Sequence, residues 1–269
     1  MNRTPIRIAV VLCLAAGLAP DLARADFATT NLQVLEGWHF YDPSVGSDMR
    51  GGTMNTVTLN HFSTWKYGDT FAFVDMMEGT SREDGTKSHL YGEVHPRLFL
   101  NRLLGQKGDT LGILKDWGVA TELNLGYGFQ AYLAGLGAEL VVPKGWQFGT
   151  NVYYRYAQLQ LPGLGQVNTN HTWQVSPFWT IPIPSGKAGV LFTGFVDVDG
   201  VKKVDGKQGV EVMAQPELLV DVLGLAGGPR NKLYAGVEWY LHYHSFNKDL
   251  GAPSNLISAP QAMIQWNLH

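Results

Sequence analysis

Residue type alternates with a period of two along segment after segment of this chain, one parity apolar or aromatic and the other polar and often acidic. From Leu233 onward the odd positions read Leu233, Ala235, Val237, Trp239, Leu241 and Tyr243, while the even positions read Tyr234, Gly236, Glu238, Tyr240, His242 and His244. A period of two puts successive side chains on opposite faces of a β-strand. A protein in which strand after strand is apolar on one face and wet on the other needs lipid outside and water inside, the condition of a transmembrane β-barrel. The pattern runs from about residue 30 to the end with no long helical pattern to interrupt it. The predicted fold is all-β, a single transmembrane antiparallel β-barrel of about twelve strands.

Those strands are predicted at 31–41, 53–66, 70–78, 88–100, 116–126, 131–142, 146–159, 171–182, 187–198, 209–221, 232–245 and 260–268. An even number suits a bacterial barrel. Lys66-Tyr67-Gly68-Asp69, Pro143-Lys144-Gly145 and Pro184-Ser185-Gly186 read as tight turns. Asp42 to Gly52, Gly79 to Lys87, Leu161 to Asn170, Asp199 to Gln208 and Asn247 to Ser258 read as long polar loops. Short periplasmic turns and long outer loops are the expected asymmetry. Asn101 to Lys115 and Leu223 to Arg230 depart from it, being longer than a tight turn on the periplasmic side.

The N-terminus directs such a chain out of the cytoplasm. Arg3 and Arg7 precede an apolar run from Ile8 to Leu18, and Ala23-Arg24-Ala25 supplies a small-x-small cleavage pattern. Residues 1–25 are therefore predicted as a signal peptide and 26–269 as the barrel domain. The apolar run is too short for a membrane helix, which needs ~20 residues. Cys13, the only cysteine, lies in this segment behind Val10-Val11-Leu12, which lacks the small residues of a lipidation site. The mature chain would hold no thiol, and with it no disulfide or thiolate chemistry. A net charge of -3 without a Lys/Arg cluster leaves no nucleic-acid footprint, and no cofactor is implied.

With the apolar parity set against lipid, the lumen receives nine acids, Asp75, Glu93, Glu122, Glu139, Asp197, Glu211, Glu217, Asp221 and Glu238, against two arginines, Arg97 and Arg155. In the fourth strand Leu90, Val94, Leu98 and Leu100 are expected to point out, with Tyr91, Glu93, His95 and Arg97 pointing in. In the seventh, Trp146, Phe148, Val152, Tyr154 and Tyr156 point out, and Gln147, Asn151, Tyr153 and Arg155 point in. Buried charges need partners, so the arginines are expected to bond lumen carboxylates, Glu93 and Glu139 by strand proximity, in two separate clusters. Phe71, Phe73, Tyr91, Tyr153, Phe178, Phe195, Tyr234 and Tyr240 add aromatic surface to the same lumen. His39, His242 and His244 read as polar pore lining; His242 and His244 share a face but show no third metal ligand.

The stretch Thr53 to Gly79, Glu93-Val94-His95-Pro96-Arg97-Leu98-Phe99, Tyr132-Leu133-Ala134-Gly135-Leu136-Gly137, Asn151-Val152-Tyr153-Tyr154-Arg155-Tyr156 and Val196-Asp197-Val198 resemble, in order and spacing, the nucleoside-specific channel-forming (Tsx) family of outer-membrane channels. The acidic-x-x-Pro-Arg and Gly-Leu-Gly motifs are the most specific of these. The resemblance implies a monomeric, narrow channel in the outer membrane of a Gram-negative bacterium. It would sit among outer-membrane lipid and pass small hydrophilic solutes, nucleosides foremost, by passive diffusion. The chain departs from usual barrels at its end, Trp266-Asn267-Leu268-His269, where a terminal Phe or Tyr is usual, although Ile264, Trp266 and Leu268 still alternate outward. A sugar-and-base solute wants aromatic walls and hydrogen-bonding side chains, so the candidate contacts are Phe71, Phe73, Asp75, Tyr91, Glu93, Arg97, Asn151, Tyr153, Arg155, Glu238, Tyr240 and His242. Two other classes compete. His61-Phe62-Ser63 puts an imidazole and a hydroxyl on one face, as in a lipid A deacylase, but a serine nucleophile needs its base oriented by a third group, and no acid is committed to that face. A receptor barrel acting through its loops has no distinguishing sequence feature.

Overall fold

The period-two segments all become strands. A computed structural model describes residues 25–42, 47–81, 85–106, 112–126, 129–161, 165–186, 188–202, 206–246, 248 and 254–268 of the 269. In chain order these form β1 (Ala25–Asp42), β2 (Ser47–Trp65), β3 (Gly68–Ser81), β4 (Gly85–Phe99), α1 (Leu100–Leu103), β5 (Leu114–Gly126), β6 (Phe129–Leu140) and β7 (Gln147–Leu161). There follow β8 (Gly165–Ile183), β9 (Val190–Lys202), β10 (Gln208–Ala214), β11 (Glu217–Asp221), α2 (Val222–Leu225), β12 (Leu233–His244) and β13 (Leu256–Asn267). Apart from β10 and β11, neighbours in sequence pair antiparallel, and β13 returns to β1 from Asn31↔Asn267 to Gly37↔Gln261. Closure removes the sheet edge, whose unpaired backbone groups could not survive in lipid.

β10 and β11 are two halves of one barrel strand, so the thirteen segments make a twelve-stranded barrel. Pro216 has no N–H to give to the ladder, and pairing lapses over Gln215 and Pro216. The register to β9 and β12 is the same on either side of the lapse. The Gln215 N–H reaches the Phe195 carbonyl at 3.2 Å, and the Pro216 carbonyl accepts from the Trp239 N–H at 3.0 Å. Opposite them Gly194 holds φ +144, where a Cβ would come within 2.5 Å of the Gln215 oxygen. Only glycine takes that conformation and that approach.

The apolar parity faces outward as expected. Val237 is 48% exposed and Leu136 56%, against buried Glu238 and Glu139 on the alternate positions. Tryptophans sort to the two rims. Trp65, Trp117, Trp146, Trp179 and Trp266 lie toward the end bearing the Lys66–Tyr67 turn, and Trp38, Trp173 and Trp239 lie with Tyr132, Tyr154 and Tyr243 toward the other. These are the girdles that anchor a barrel at its two lipid–water interfaces.

Several expectations need correction. The segments read as long loops are largely paired backbone: β1 runs to Asp42, β3 to Ser81, β7 to Leu161 and β9 to Lys202, with β2, β4, β8 and β10 resuming at Ser47, Gly85, Gly165 and Gln208. Polar composition marks water on both faces of a strand beyond the lipid, and water does not stop the ladder. β4 ends at Phe99, so Leu100 opens α1 instead of pointing out from the strand. The two overlong connectors on the turn end each hold a one-turn helix, α1 and α2. His39 has φ +61 where the β1–β2 register shifts between Trp38 and Phe40. This bulge flips the parity, leaving His39 exposed and turning Phe40 fully inward. The predicted leader lies outside the described residues apart from Ala25, whose backbone pairs with Trp65.

The interior is not uniformly polar. Phe40, Met54, Tyr240 and Ile257 form one buried apolar cluster, Ala120, Ala131, Leu133, Tyr153 and Ala157 a second, and Leu35, Leu219, Tyr234 and Met263 a third. A barrel of this size fills much of its lumen with side chains, and the apolar packing sits inside it, between polar ladders such as Gln33–Gln265 at 3.0 Å and Asn31–Asn60 at 3.1 Å.

Candidate functional site

The β3–β4 register, Phe71↔His95, Phe73↔Glu93 and Asp75↔Tyr91, lines one wall of the lumen with rings and carboxylates. Phe71 and Phe73 are 5.8 Å apart between ring centroids, Phe73 and Tyr91 6.0 Å, and Tyr91 and Phe129 on β6 6.4 Å. His95 closes the row at 5.6 Å from Phe71. Such tilted contacts are the stable geometry for neighbouring rings. Glu93 accepts the Tyr91 hydroxyl and lies 2.6 Å from Nε2 of His95, while Asp75 accepts the Thr58 hydroxyl at 2.6 Å. Arg155 faces this wall from β7, its guanidinium 5.8 Å from the Phe129 ring and 3.4 Å from Asp199.

Arg97 belongs to a different region. Its Nε and Nη2 bond both oxygens of Asp69 at 2.8 and 2.6 Å, Glu139 stands 3.9 Å away, and the rings of Phe99 and Phe178 sandwich it at 4.9 and 4.8 Å. This bidentate, ring-stacked setting suits a guanidinium as it suits no other cation. Gly137, on the facing strand, leaves room for it: a Cβ there would come 2.8 Å from Asn151 Oδ1 and 3.3 Å from Arg97 Cδ. Below it α1 folds over the turn end, Arg102 bonding Glu139 at 2.9 Å and the Gly68 carbonyl at 2.9 Å. Asp116 accepts the backbone N–H of Asn101 at 3.0 Å and so fixes the start of α1. Lys115 adds a 3.4 Å contact to Glu139. A cleft of about 330 Å³ remains there between Arg102, Gln106, Asp116 and Glu139.

Across the barrel, Glu217 and Glu238 are directly paired on β11 and β12. Glu238 accepts Gln261 Nε2 at 2.5 Å and lies within electrostatic reach of Asp75. Toward the loop end, buried His242 meets Glu211 at 2.7 Å, and Tyr240 packs on Phe40 with centroids 5.1 Å apart.

All the candidate residues on β3, β4, β7 and β12 face the interior, but in separate groups. Phe71, Phe73, Asp75, Tyr91 and Glu93 form one wall, with Arg155 beside it. Arg97 seals the turn end. Tyr240 and His242 sit toward the loop end, and Glu238 on the acid-lined wall between. Tyr153 is buried in the Ala120–Leu133 cluster instead of lining open space. The expectation of two separate arginine clusters holds, but their partners differ: Asp69 and Asp199 take the principal roles, Glu139 is secondary to Arg97, and Glu93 serves His95. Asp221 is a cap, accepting the N–H groups of Gly224 and Asn231 at 2.8 Å each. His242 pairs with Glu211. Asp69 and Asp199 were legible by carrying the parity of Phe71 and Asp197 two residues further, but their turn-like surroundings read as loop. Arg102 lies on a helix and carried no period-two signal.

A closed barrel with lipid-facing apolar side chains and a charged, ring-lined interior defines an outer-membrane channel for small solutes, at home in the outer membrane of a Gram-negative bacterium. A family model described as "Nucleoside-specific channel-forming protein, Tsx" matches residues 44–209, and the chain belongs to that family. Similar solved structures include the "KdgM porin in complex with disordered oligogalacturonate", at 7% identity and TM-score 0.46, covering 90% of this chain and all of that one. The β domain of the Bordetella autotransporter Brka follows at 10% and 0.38, covering 90% and 99%. The outer membrane protein opdK from Pseudomonas aeruginosa is similar at 9% and 0.32, covering 91% and 100%. No curated protein matches the chain significantly.

Proposed function

We propose that this channel passes nucleosides by passive diffusion as a monomer, its mature chain being residues 26–269. The row Phe71, Phe73, Tyr91 and Phe129 carries this reading, because each ring offers a face to a nucleobase and stacking is tolerant of base identity. Asp75, Glu93, Asn151 and Arg155 supply acceptors and donors for sugar hydroxyls and base edges, with Arg97, Tyr153, Glu238, Tyr240 and His242 bounding the path. A surplus of lumen carboxylates suits a neutral sugar-and-base solute and opposes its phosphorylated forms, which carry about two negative charges.

The reading assigns no catalytic step. His61 and Ser63 lie on the lipid-facing parity, and the His61 Nδ1 pairs with the Thr30 hydroxyl at 2.9 Å instead of with an acid.

Single-channel recording in planar bilayers tests it. Adenosine or uridine should lower the ion current in a saturable way, the matching monophosphates should not, and Phe73→Ala or Tyr91→Ala should weaken the nucleoside effect about tenfold or more. No conductance would overturn the channel; equal block by a sugar of similar size would overturn the solute.

A further inference from the structure

We propose that His95 and Glu122 are the ligands at the centre of a transition-metal site in the lumen wall, taking a divalent ion such as Zn²⁺ or Co²⁺, with Glu93 holding the imidazole in place. The register that pairs Glu93 with Asn124 and Arg97 with Ala120 sets His95 opposite Glu122 on β5. Glu93, His95 and Glu122 offer ligand atoms within 4.8 Å of one another.

The two sides of the imidazole differ. Nε2 lies 2.6 Å from Glu93 Oε2, a hydrogen-bond length, and the other Glu93 oxygen accepts the Tyr91 hydroxyl, so each oxygen of that carboxylate has a partner. Nδ1 lies 3.2 Å from Glu122 Oε2, yet among the described residues neither Glu122 oxygen takes part in a hydrogen bond. The Glu122 side chain is 1% exposed, and a buried carboxylate short of well-formed hydrogen bonds is costly. Two ligands each ~2.0–2.1 Å from one tetrahedral metal stand roughly 3.3 Å apart. The Nδ1–Glu122 separation fits that edge. The next inward residue on β5, Asn124, is also buried, and its Oδ1 has no donor; it and lumen water complete the shell. The Glu93–His95 pair is the carboxylate–histidine arrangement that fixes the tautomer of a metal-binding imidazole. One nitrogen among oxygens selects Zn²⁺, Co²⁺ or Mn²⁺ over Mg²⁺ and Ca²⁺, which favour all-oxygen sites.

The site is independent of which solute passes, and its test reads metal directly. Co²⁺ titrated into the purified, detergent-folded barrel should produce a saturable visible absorption at one ion per chain, displaced by Zn²⁺ and not by excess Mg²⁺. His95→Gln and Glu122→Gln should each weaken binding at least 100-fold, and Glu93→Gln 10–100-fold with the band retained. Zn²⁺ should lower the conductance of the unmodified channel and leave that of Glu122→Gln unchanged. Non-saturating binding, or unaltered affinity in His95→Gln or Glu122→Gln, overturns the proposal. X-ray absorption of the Zn²⁺-loaded natural protein does so without a variant if its first shell holds no imidazole.

Discussion

The turn end and the acidic wall of β11 and β12, which Asp75 of β3 faces across the lumen, use the same residue types to opposite effect. Around α1 at the turn end the carboxylates have cations: Asp69 a bidentate Arg97, and Glu139 the side chains of Arg102 and Lys115. On the wall Glu238 lies within electrostatic reach of both Glu217 and Asp75, and the groups that bond Asp75 and Glu238 are the neutral Thr58 and Gln261. The Glu217 Oε2 is buried and has no hydrogen-bond partner among the described residues. Balanced charges lock structure, whereas clustered like charges cost stability and persist where a field is useful. We propose that the turn end is the clamp of the barrel and the wall its selectivity element.

The sharpest way to break this comparison is Arg97→Ala. Asp69 and Glu139 would lose a buried guanidinium, and the barrel should lose about 3–5 kcal/mol in reversible urea unfolding from vesicles; an unchanged midpoint would show that the turn end is no clamp. Next, Val237→Arg puts a charge on the lipid face and should cost about 2–4 kcal/mol near the midplane. Asp75→Arg, on the inward parity among lumen carboxylates, should change conductance instead, and equal folding defects at the two positions would refute the inside–outside assignment on which both regions depend.

Removing one member of the like-charged wall should have the opposite sign. Glu217→Gln relieves a direct cross-strand repulsion with Glu238 and should stabilise the barrel by about 0.2–1 kcal/mol in the same unfolding assay. The smallest effect is a shift of reversal potential across a salt gradient. The natural channel should prefer cations, less so at 1 M salt where the Debye length falls to ~3 Å. Glu217→Gln combined with Glu238→Gln should reduce that preference, and Asp116→Asn, at the balanced end, should leave it nearly unchanged. Anion preference in the natural protein would remove the field on which the contrast rests.

Much of this molecule was legible before folding. Alternation along β12 put Val237 out and Glu238 in, and the same rule read the Phe71–Asp75 and Tyr91–Arg97 rows correctly. It failed where the period itself broke. The bulge at His39 reversed the parity of Phe40, and Leu100 left the strand for a helix. It also failed where an inward acid stood in turn-like sequence, as Asp69 and Asp199 do. The apolar clusters around Leu133, Leu219 and Met263 were hidden because apolar residues occupy both faces there.

Strand identity, membrane exposure and lumen polarity are local properties, set by side-chain period and solvent, and the sequence by itself determined them. Pairing is not local. Arg97 finds Asp69 across 28 residues and Arg155 finds Asp199 across 44; Glu217 meets Glu238 only because β11 and β12 align in one register. A shift of one residue would turn each of these side chains to the opposite face. Which charges neutralise one another and which are left to shape the field was therefore decided by barrel closure, through the register that closure imposes.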